Sequence, residues 1–430
     1  MSNLQELAQR LMTLDDKITA CMRCGMCQAV CPMYGCTGQE ADVARGKLFL
    51  INNLAHMILE DPKALADKLG RCLLCASCQA ACPPGVQIME IFREAREIVY
   101  NYIGLSPIKK MIFGVLLAKP GLFNFTMKFG APAQMILFKK SNTAQGTVCA
   151  PMFDFVLGNR HLPPMAKKAL NAIYGTLDEP RKNGGKKVMF FPGCVADKMY
   201  VDMGEACIKA LRHHDVAIFM PPLACCGIPA ICSGDVKGML KELKANLDIM
   251  EKGDFDYIVT PCASCTSTII ELWPEYAARL GPAEKKLAED FAGKTMDINV
   301  FMVEILGVTP RESKTGATTV TYHDPCHLVK SLGVTKEPRT MLRANKGYEL
   351  VEMDEHDRCC GCGGSFTLFH YDYSKQIGQR KRDNIIKSGA KVVATSCPAC
   401  MMQLENMLAL NNDRVKVKHT MQIYADTLDR

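Results

Sequence analysis

Ten cysteines in the second half of this chain form two copies of one pattern. The first copy is Cys194, the adjacent pair Cys225 and Cys226, then Cys262 and Cys265. The second is Cys326, the pair Cys359 and Cys360, then Cys397 and Cys400. Corresponding cysteines lie 132 to 135 residues apart (Cys194 to Cys326, Cys262 to Cys397). The flanks repeat too: Phe191-Pro192-Gly193-Cys194 answers Asp324-Pro325-Cys326, and Cys225-Cys226-Gly227 answers Cys359-Cys360-Gly361. A repeat of this kind sets the architecture before local detail does. Each copy gathers five thiolates, one more than a single zinc ion or an ordinary cubane takes. The chemistry such a set suits is an unusual iron–sulfur site.

Eight further cysteines stand near the amino terminus. Cys21, Cys24, Cys27 and Cys31 before Pro32 are matched by Cys72, Cys75, Cys78 and Cys82 before Pro83. This is the C-x2-C-x2-C-x3-C-P run of a two-cluster ferredoxin, complete and present twice, in which the fourth cysteine serves the other cluster. The run assigns Cys21, Cys24, Cys27 and Cys82 to one cubane, and Cys72, Cys75, Cys78 and Cys31 to the second. Zinc knuckles do not need eight cysteines in that order.

The elements that position these thiols follow from periodicity. Residues 2–20 read as a helix with Leu4, Leu7, Leu11 and Leu14 on one side, and residues 45–59 as an amphipathic helix between the cysteine runs. Residues 87–102 close that region with Ile88, Ile91, Ala95 and Val99 on one face. From Lys187 onward strands alternate with helices. Strands are expected at 188–191, 216–220 and 257–260, then at 318–322, 348–353 and 392–395; helices at 198–214, 235–251 and 366–388. Each cysteine group then sits just past the carboxyl end of a strand, where open α/β sheets bind their ligands. Gly193, Gly227 and Gly361 allow the backbone close approach beside those groups.

Composition narrows the class. The chain has 430 residues and 23 cysteines. Its size, its polar start (Ser2-Asn3-Leu4-Gln5-Glu6) and its ligand-like spacings point to a reducing cytoplasm rather than a secreted disulfide scaffold. No apolar run approaches the roughly 18 to 20 residues of a spanning helix. Residues 103–187 hold 13 Lys and Arg against three acids, Asp154, Asp178 and Glu179, interleaved with apolar residues. Such an arm either packs its apolar side on a neighbouring domain or lies peripherally on the cytoplasmic face of the inner membrane. Nucleic acid is a poor fit, because stacking aromatics and a binding motif are missing. No G-x-G-x-x-G follows a strand and no P-loop occurs, so hydride or nucleotide chemistry is expected on another subunit.

Residues 187–400 resemble the cysteine-rich "CCG" domains of heterodisulfide reductase. The order, ferredoxin domain then two such domains, resembles the iron–sulfur subunit of glycolate oxidase and of related lactate and glycerol-3-phosphate dehydrogenases. The expected architecture is an α/β C-terminal half of two repeated cysteine-rich domains, preceded by a mostly helical two-cluster ferredoxin-like domain. The expected division is 1–102 ferredoxin domain, 103–186 basic helical arm, 187–310 first cysteine-rich domain and 311–430 second. The resemblance implies two [4Fe-4S] cubanes and two further clusters, non-cubane in the reductase family. It also implies an FAD-containing dehydrogenase subunit as partner, with a membrane cytochrome or quinone-reactive subunit as a further one. In glycolate-oxidase-type proteins the cysteine motifs are often incomplete. Both are complete here, which keeps disulfide chemistry or a relay role in a membrane redox complex open. Cys36, Cys149, Cys207 and Cys232 read as small apolar residues. Cys362, close to Cys360, and His323 and His327, flanking Cys326, are read either as ordinary residues or as participants in the second site.

Overall fold

The computed structural model describes residues 3–107, 111, 134, 138–141, 143–149, 159–182 and 184–428. Much of the basic arm, including Lys109, Lys110, Lys119 and Lys128 and the helices expected around them, lies outside the described residues. The chain forms two compact units. One gathers the described residues of Met1–Val115 with two short segments, Pro229–Met239 and Gly361–Gly378; the other holds the remainder.

The first unit is helical. Its principal helices are Asn3–Met12, Ala44–Ala55, Pro62–Gly70 and Ile88–Ile103. Their apolar faces (Leu7, Leu11, Ile51, Leu54, Leu65, Leu69, Ile91 and Val99) close on one core, and half-buried Cys21, Cys27, Cys72, Cys78 and Cys82 pack against it. The helix expected over 2–20 breaks after Met12 and resumes at Asp15–Thr19, with the Thr13 hydroxyl donating to the Arg10 carbonyl at the break. Pro62–Gly70 was not anticipated from periodicity. Its start is marked by Asp61, whose carboxylate accepts from the backbone N–H groups of Lys63 and Ala64 at 3.0 Å, and by Pro62 in the first turn. Gly46 is required inside its helix, since a Cβ there would sit 2.1 Å from the Glu40 carbonyl oxygen.

The second unit carries a two-stranded antiparallel ribbon (Lys139–Lys140 with Val148–Cys149) and two larger sheets. The first is built from β1 (Leu177–Asp178), β2 (Lys187–Phe190), β3 (Ala217–Met220), β4 (Tyr257–Thr260) and β5 (Thr295–Asp297) in the order β1-β3-β2-β4-β5. The second uses β6 (Thr318–His323), β7 (Tyr348–Leu350), β8 (Val392–Thr395) and β9 (Lys416–His419) in the order β7-β6-β8-β9. Apart from antiparallel β1, every pairing in these two sheets is parallel. Both sheets therefore order their four parallel strands second, first, third, fourth, so the cysteine repeat is also a repeat of topology. The strand order reverses between the first and third strands, the switch point at which such sheets bind ligands.

The central strands are buried on both faces, as parallel strands covered by helices must be. β5 and β9 escaped the periodicity reading. β5 is three residues long and follows directly on a helix, without a turn signal. β9 is an edge strand carrying Lys416 and Lys418, a composition that discourages further pairing. The helix expected over 366–388 is interrupted at His370, which leaves helical geometry at φ −131°.

The two sheets belong to one packed body. Helix Pro398–Leu410 is buried almost all round, and its Met401 joins Ala196, Tyr200 and Met203 of the first repeat in a small core. The Tyr200 hydroxyl donates to Glu405 at 2.7 Å, and burial pushes the Glu405 carboxyl up to about 7.

Candidate iron–sulfur sites

In the helical unit the two cysteine runs wrap two cavities. One is lined by Cys21, Cys24, Cys27 and Cys82, together with Cys78 and Pro83. The other is lined by Cys31, Cys72, Cys75 and Cys78. The wrapping needs unusual backbone at matched positions. Arg23 (φ 58°) and Gly25 (φ 84°) correspond to Leu74 (φ 52°) and Ala76 (φ 58°) in the second run. A left-handed conformation costs a residue with a side chain roughly 1–3 kcal/mol and persists where the surroundings demand it. Here it curls each loop so that thiols converge, and it brings the Leu74 N–H to 3.5 Å from the Cys72 sulfur.

The donor set fits iron. None of the 23 cysteines is in a disulfide. Burial, followed by the neighbouring Cys72, Cys75 and Cys31, pushes the Cys78 thiol well above its ordinary range, and burial takes Cys31 up to about 11. Thiolates crowded this closely repel one another unless a multiply charged cation lies among them. Buried Lys47 lines the second cavity, hydrogen-bonded to the Asp42 carbonyl. Burial lowers the Lys47 pKa, and in its protonated form it would favour the reduced state of a cluster held by Cys31 and Cys72. Replacing Cys82 with Ser should accordingly damage the cluster held by Cys21, Cys24 and Cys27, leaving the signal from Cys72, Cys75 and Cys78 in the anaerobic EPR spectrum. Loss of the latter signal with the former intact would contradict that grouping.

Arg96 braces the second run. Its guanidinium, 3 % exposed, donates to the carbonyls of Leu69, Cys72 and Cys232 at 2.5–2.6 Å. Cys232 lies in the segment Pro229–Met239, which follows the first cysteine pair in sequence. The segment that follows the second pair, Gly361–Gly378, packs in the same unit. A Cβ on Gly363 would stand 3.3 Å from the Leu73 side chain, and Arg71 lies over the Tyr373 ring at 5.6 Å. Both inserted segments thus border the loop Cys72–Cys75.

In the sheet-bearing unit the thiols form a chain of contacts. Cys194 and Cys225 sulfurs are 3.7 Å apart, and hydrogen bonds link Cys225 to Cys226, Cys226 to Cys265 and Cys265 to Cys262. The chain then crosses to the other repeat. Cys262 meets Cys397, Cys397 meets Cys400, and the Cys360 and Cys400 sulfurs are 3.5 Å apart. Within each repeat one thiol is held well below its ordinary range: Cys226 by the Cys225 and then the Cys265 thiol, Cys397 by Cys262 and then Cys400. Cys359 is buried and Cys326 half-buried.

The surrounding residues explain these positions. Gly193 adopts φ 77°, and a Cβ there would sit 3.0 Å from the Cys265 sulfur. Asn246 receives the Ala224 N–H at 2.8 Å and donates to the Cys225 carbonyl at 2.9 Å; the indole of Trp273 donates to the Cys226 carbonyl at 2.9 Å. His327 Nδ1 lies 3.1 Å from the Ser264 hydroxyl, which lies 3.8 Å from the Cys397 sulfur. π-helical turns begin soon after Cys265 and directly after Cys326, a distortion frequent at functional sites.

Sequence reasoning did not find Arg96, Asn246, Ser264 or Trp273. The only available signal was an uncharged Asn inside a charged helix and the lone Trp of the chain. Of the remaining cysteines, Cys207 is buried in the first sheet's core and Cys232 packs on the helical core, whereas Cys36 and Cys149 are half-buried. Cys362 falls in the helical unit, and Cys360 in the other. His213 is exposed; His214 meets the Tyr424 hydroxyl at 2.7 Å, and His356 meets Asp324 at 2.7 Å.

Comparison with known proteins agrees with this arrangement. The family "4Fe-4S dicluster domain" matches residues 17–86, and the family "Cysteine-rich domain" matches residues 188–270 and 320–405. Lactate utilization protein A of an Exiguobacterium strain is 31% identical over 237 residues, covering 55% of this chain and 96% of that protein. The chain belongs to this cysteine-rich-domain family of iron–sulfur proteins. Within the family, the probable glycolate oxidase iron-sulfur subunit of Bacillus subtilis is 28% identical over 413 residues, 91% of this chain and 89% of the relative. A fumarate reductase (CoM/CoB) component of Methanothermobacter marburgensis is 31% identical over 235 residues, 54% of this chain but only 45% of that protein. The predicted architecture, a helical ferredoxin-like region followed by two cysteine-rich α/β domains, is the one observed. As a member of this family the chain is an iron–sulfur oxidoreductase component. No helix among the described residues is long and apolar enough to cross a membrane.

Proposed function

We propose that this chain is the iron–sulfur electron-transfer subunit of a flavin-linked 2-hydroxyacid dehydrogenase complex, acting on a lactate- or glycolate-type substrate. It takes electrons from an FAD subunit and passes them toward the quinone pool. Its cofactors are two [4Fe-4S] cubanes, held by Cys21, Cys24, Cys27 and Cys82 and by Cys31, Cys72, Cys75 and Cys78, and one further cluster in each repeat. The domain division is 1–102, 103–186, 187–310 and 311–430, and the location is cytoplasmic, peripheral to the inner membrane. Iron–sulfur clusters supply one-electron transfer, so removal of a hydride from a hydroxyacid needs a two-electron acceptor on a partner.

The observation that carries this reading is the unbroken sulfur path from Cys194 through Cys262 and Cys397 to Cys360. A path joining two cluster sites suits a conductor. Met22, Met26 and Phe49 are 50 to 65% exposed, and Cys24 is exposed as well. They form an apolar rim beside the first cubane cavity, where a partner's redox centre could approach. The likeness to named glycolate oxidase and lactate utilization proteins supports the substrate class.

The purified chain alone should be flavin-free and unable to oxidise lactate or glycolate with dyes, and adding its FAD subunit should restore turnover with reduction of the clusters. Robust hydroxyacid oxidation by the chain alone would overturn the reading. A second reading, reduction of a disulfide at one of the five-cysteine sites, is favoured by the completeness of both motifs and by the likeness to a protein named for CoM and CoB. Disulfide reduction with reduced viologen by the chain alone, with no gain from any flavoprotein, would select it. A relay role beside a membrane cytochrome would appear as a co-purifying haem subunit.

A further inference from the structure

Among the differences between the two cysteine-rich repeats, one falls at a strand end just before the first cysteine. Three residues before the first cysteine, the first repeat has Phe191 and the second has His323. Both lie at the end of the first parallel strand of their sheet, and both are fully buried. Phe191 is accommodated as an apolar ring should be, edge-on to Trp273 with centroids 6.1 Å apart. His323 is not accommodated in that way. Neither of its ring nitrogens makes a well-formed hydrogen bond, although the His356 backbone lies near the ring. A buried polar group left so costs about 1–3 kcal/mol, and such a group calls for a physical explanation.

The surroundings supply one. A ring nitrogen of His323, the Cys360 sulfur and the Cys400 sulfur all lie within 4.8 Å of one another, all buried. That spacing is compatible with three donors facing one metal ion. Imidazole is the commonest metal ligand in proteins, and iron–sulfur centres accept it in place of thiolate, with a raised reduction potential. Buried Lys381, held by the Glu355 and His356 carbonyls, adds a positive charge near Cys360 and Cys359. In the first repeat the corresponding strand end offers only a phenyl ring.

We propose that His323 is an iron ligand of the second cysteine-rich site, which therefore carries mixed nitrogen and sulfur donors, whereas the first site is ligated by thiolates alone. The two repeats are then chemically unequal, and the second holds the higher-potential centre. Electrons arriving at Cys194 would run downhill through Cys262 and Cys397 to the second site. The inference rests on the second site holding iron, and not on the identity of the hydroxyacid.

The test uses the full chain purified anaerobically, once at natural abundance and once with 15N-labelled histidine. Pulsed EPR of its clusters should show a directly coordinated nitrogen whose coupling changes with the label. His323→Phe, which copies the first repeat, should abolish that coupling and lower the midpoint potential of one cluster while the other three keep theirs. The labelled unmodified protein gives the result even if the variant fails to assemble. Iron at all four sites with no histidine nitrogen coupling would overturn the proposal, as would a coupling that survives in His323→Phe. Iron analysis showing the second site empty in the unmodified protein would overturn both the proposal and the cluster assignment beneath it.

Discussion

Changing Cys225 and Cys226 together to serine should empty the first cysteine-rich site and stop electrons from passing onward. A serine hydroxyl does not ionise at neutral pH as a thiol can, so it is a poor replacement for a thiolate ligand. The pair lies at the centre of the first repeat's sulfur contacts, between Cys194 and Cys265. Its carbonyls are held by Asn246 and Trp273, so the serine side chains remain in place while donor strength is lost. Transfer to a quinone-type acceptor in the complex with the FAD subunit should fall by more than the roughly 100-fold that loss of a metal's outer partner can cost. Dye reduction at the flavin should stay within about twofold, because Cys225 and Cys226 take no part in hydride removal. Equal loss of both activities would mean that the site serves the chemistry of the substrate rather than conduction.

Arg96→Met should destabilise the helical unit by about 2–6 kcal/mol, because the buried Cys72 and Cys232 carbonyls are left unpaired at about 1–3 kcal/mol each. Three buried carbonyls, those of Leu69, Cys72 and Cys232, lose the guanidinium at once, and Leu69 keeps a backbone donor, the Cys72 N–H at 3.1 Å. Denaturant unfolding under anaerobic conditions, followed by helical signal and by loss of cluster absorbance, measures the change. Arg96→Lys should fall between the two, since an ammonium cannot span three separated carbonyls as the guanidinium fork does. A loss below about 1 kcal/mol for Arg96→Met would show that water takes over the carbonyls, and the brace would be of little consequence.

What could be read from the sequence was whatever is local or periodic. Cysteine spacing grouped the ligands because an iron–sulfur loop is short, and its geometry is written in the intervals between Cys21 and Cys31. Strand and helix alternation placed Cys194, Cys262, Cys326 and Cys397 past strand ends because apolar runs such as Val392–Thr395 are too short to be anything else. The topology of β5 and β9 was not legible, since short edge strands have little periodicity. Contacts between distant parts of the chain were also hidden. Arg96 sits on the helix face next to Ala95 and looks like a surface residue until its three carbonyls are seen. Nothing in two separate C-x2-C motifs says that Cys262 and Cys397 touch. His323 was noticed as a neighbour of Cys326, but its significance comes from burial without a well-formed hydrogen bond, which only packing reveals.

The fold also accounts for why the repeat remains a repeat. Two sheets with the same strand order put their third-strand loops in contact, with the Ala263 N–H donating to the Ser396 carbonyl at 3.1 Å and Asn299 donating to the Ser396 hydroxyl at 3.0 Å. These hydrogen bonds hold Cys262 against Cys397. On the proposed reading, one conducting path needs both copies, and a single copy would end at its own surface.

The most direct measurement is the iron and acid-labile sulfide content of the full chain purified without oxygen. Eighteen cysteines in four ligand sets predict about 16 iron and about 16 sulfide per chain, if each set holds a four-iron cluster. A fully loaded preparation with about 8 iron, and zinc accounting for the C-terminal half, would contradict the account.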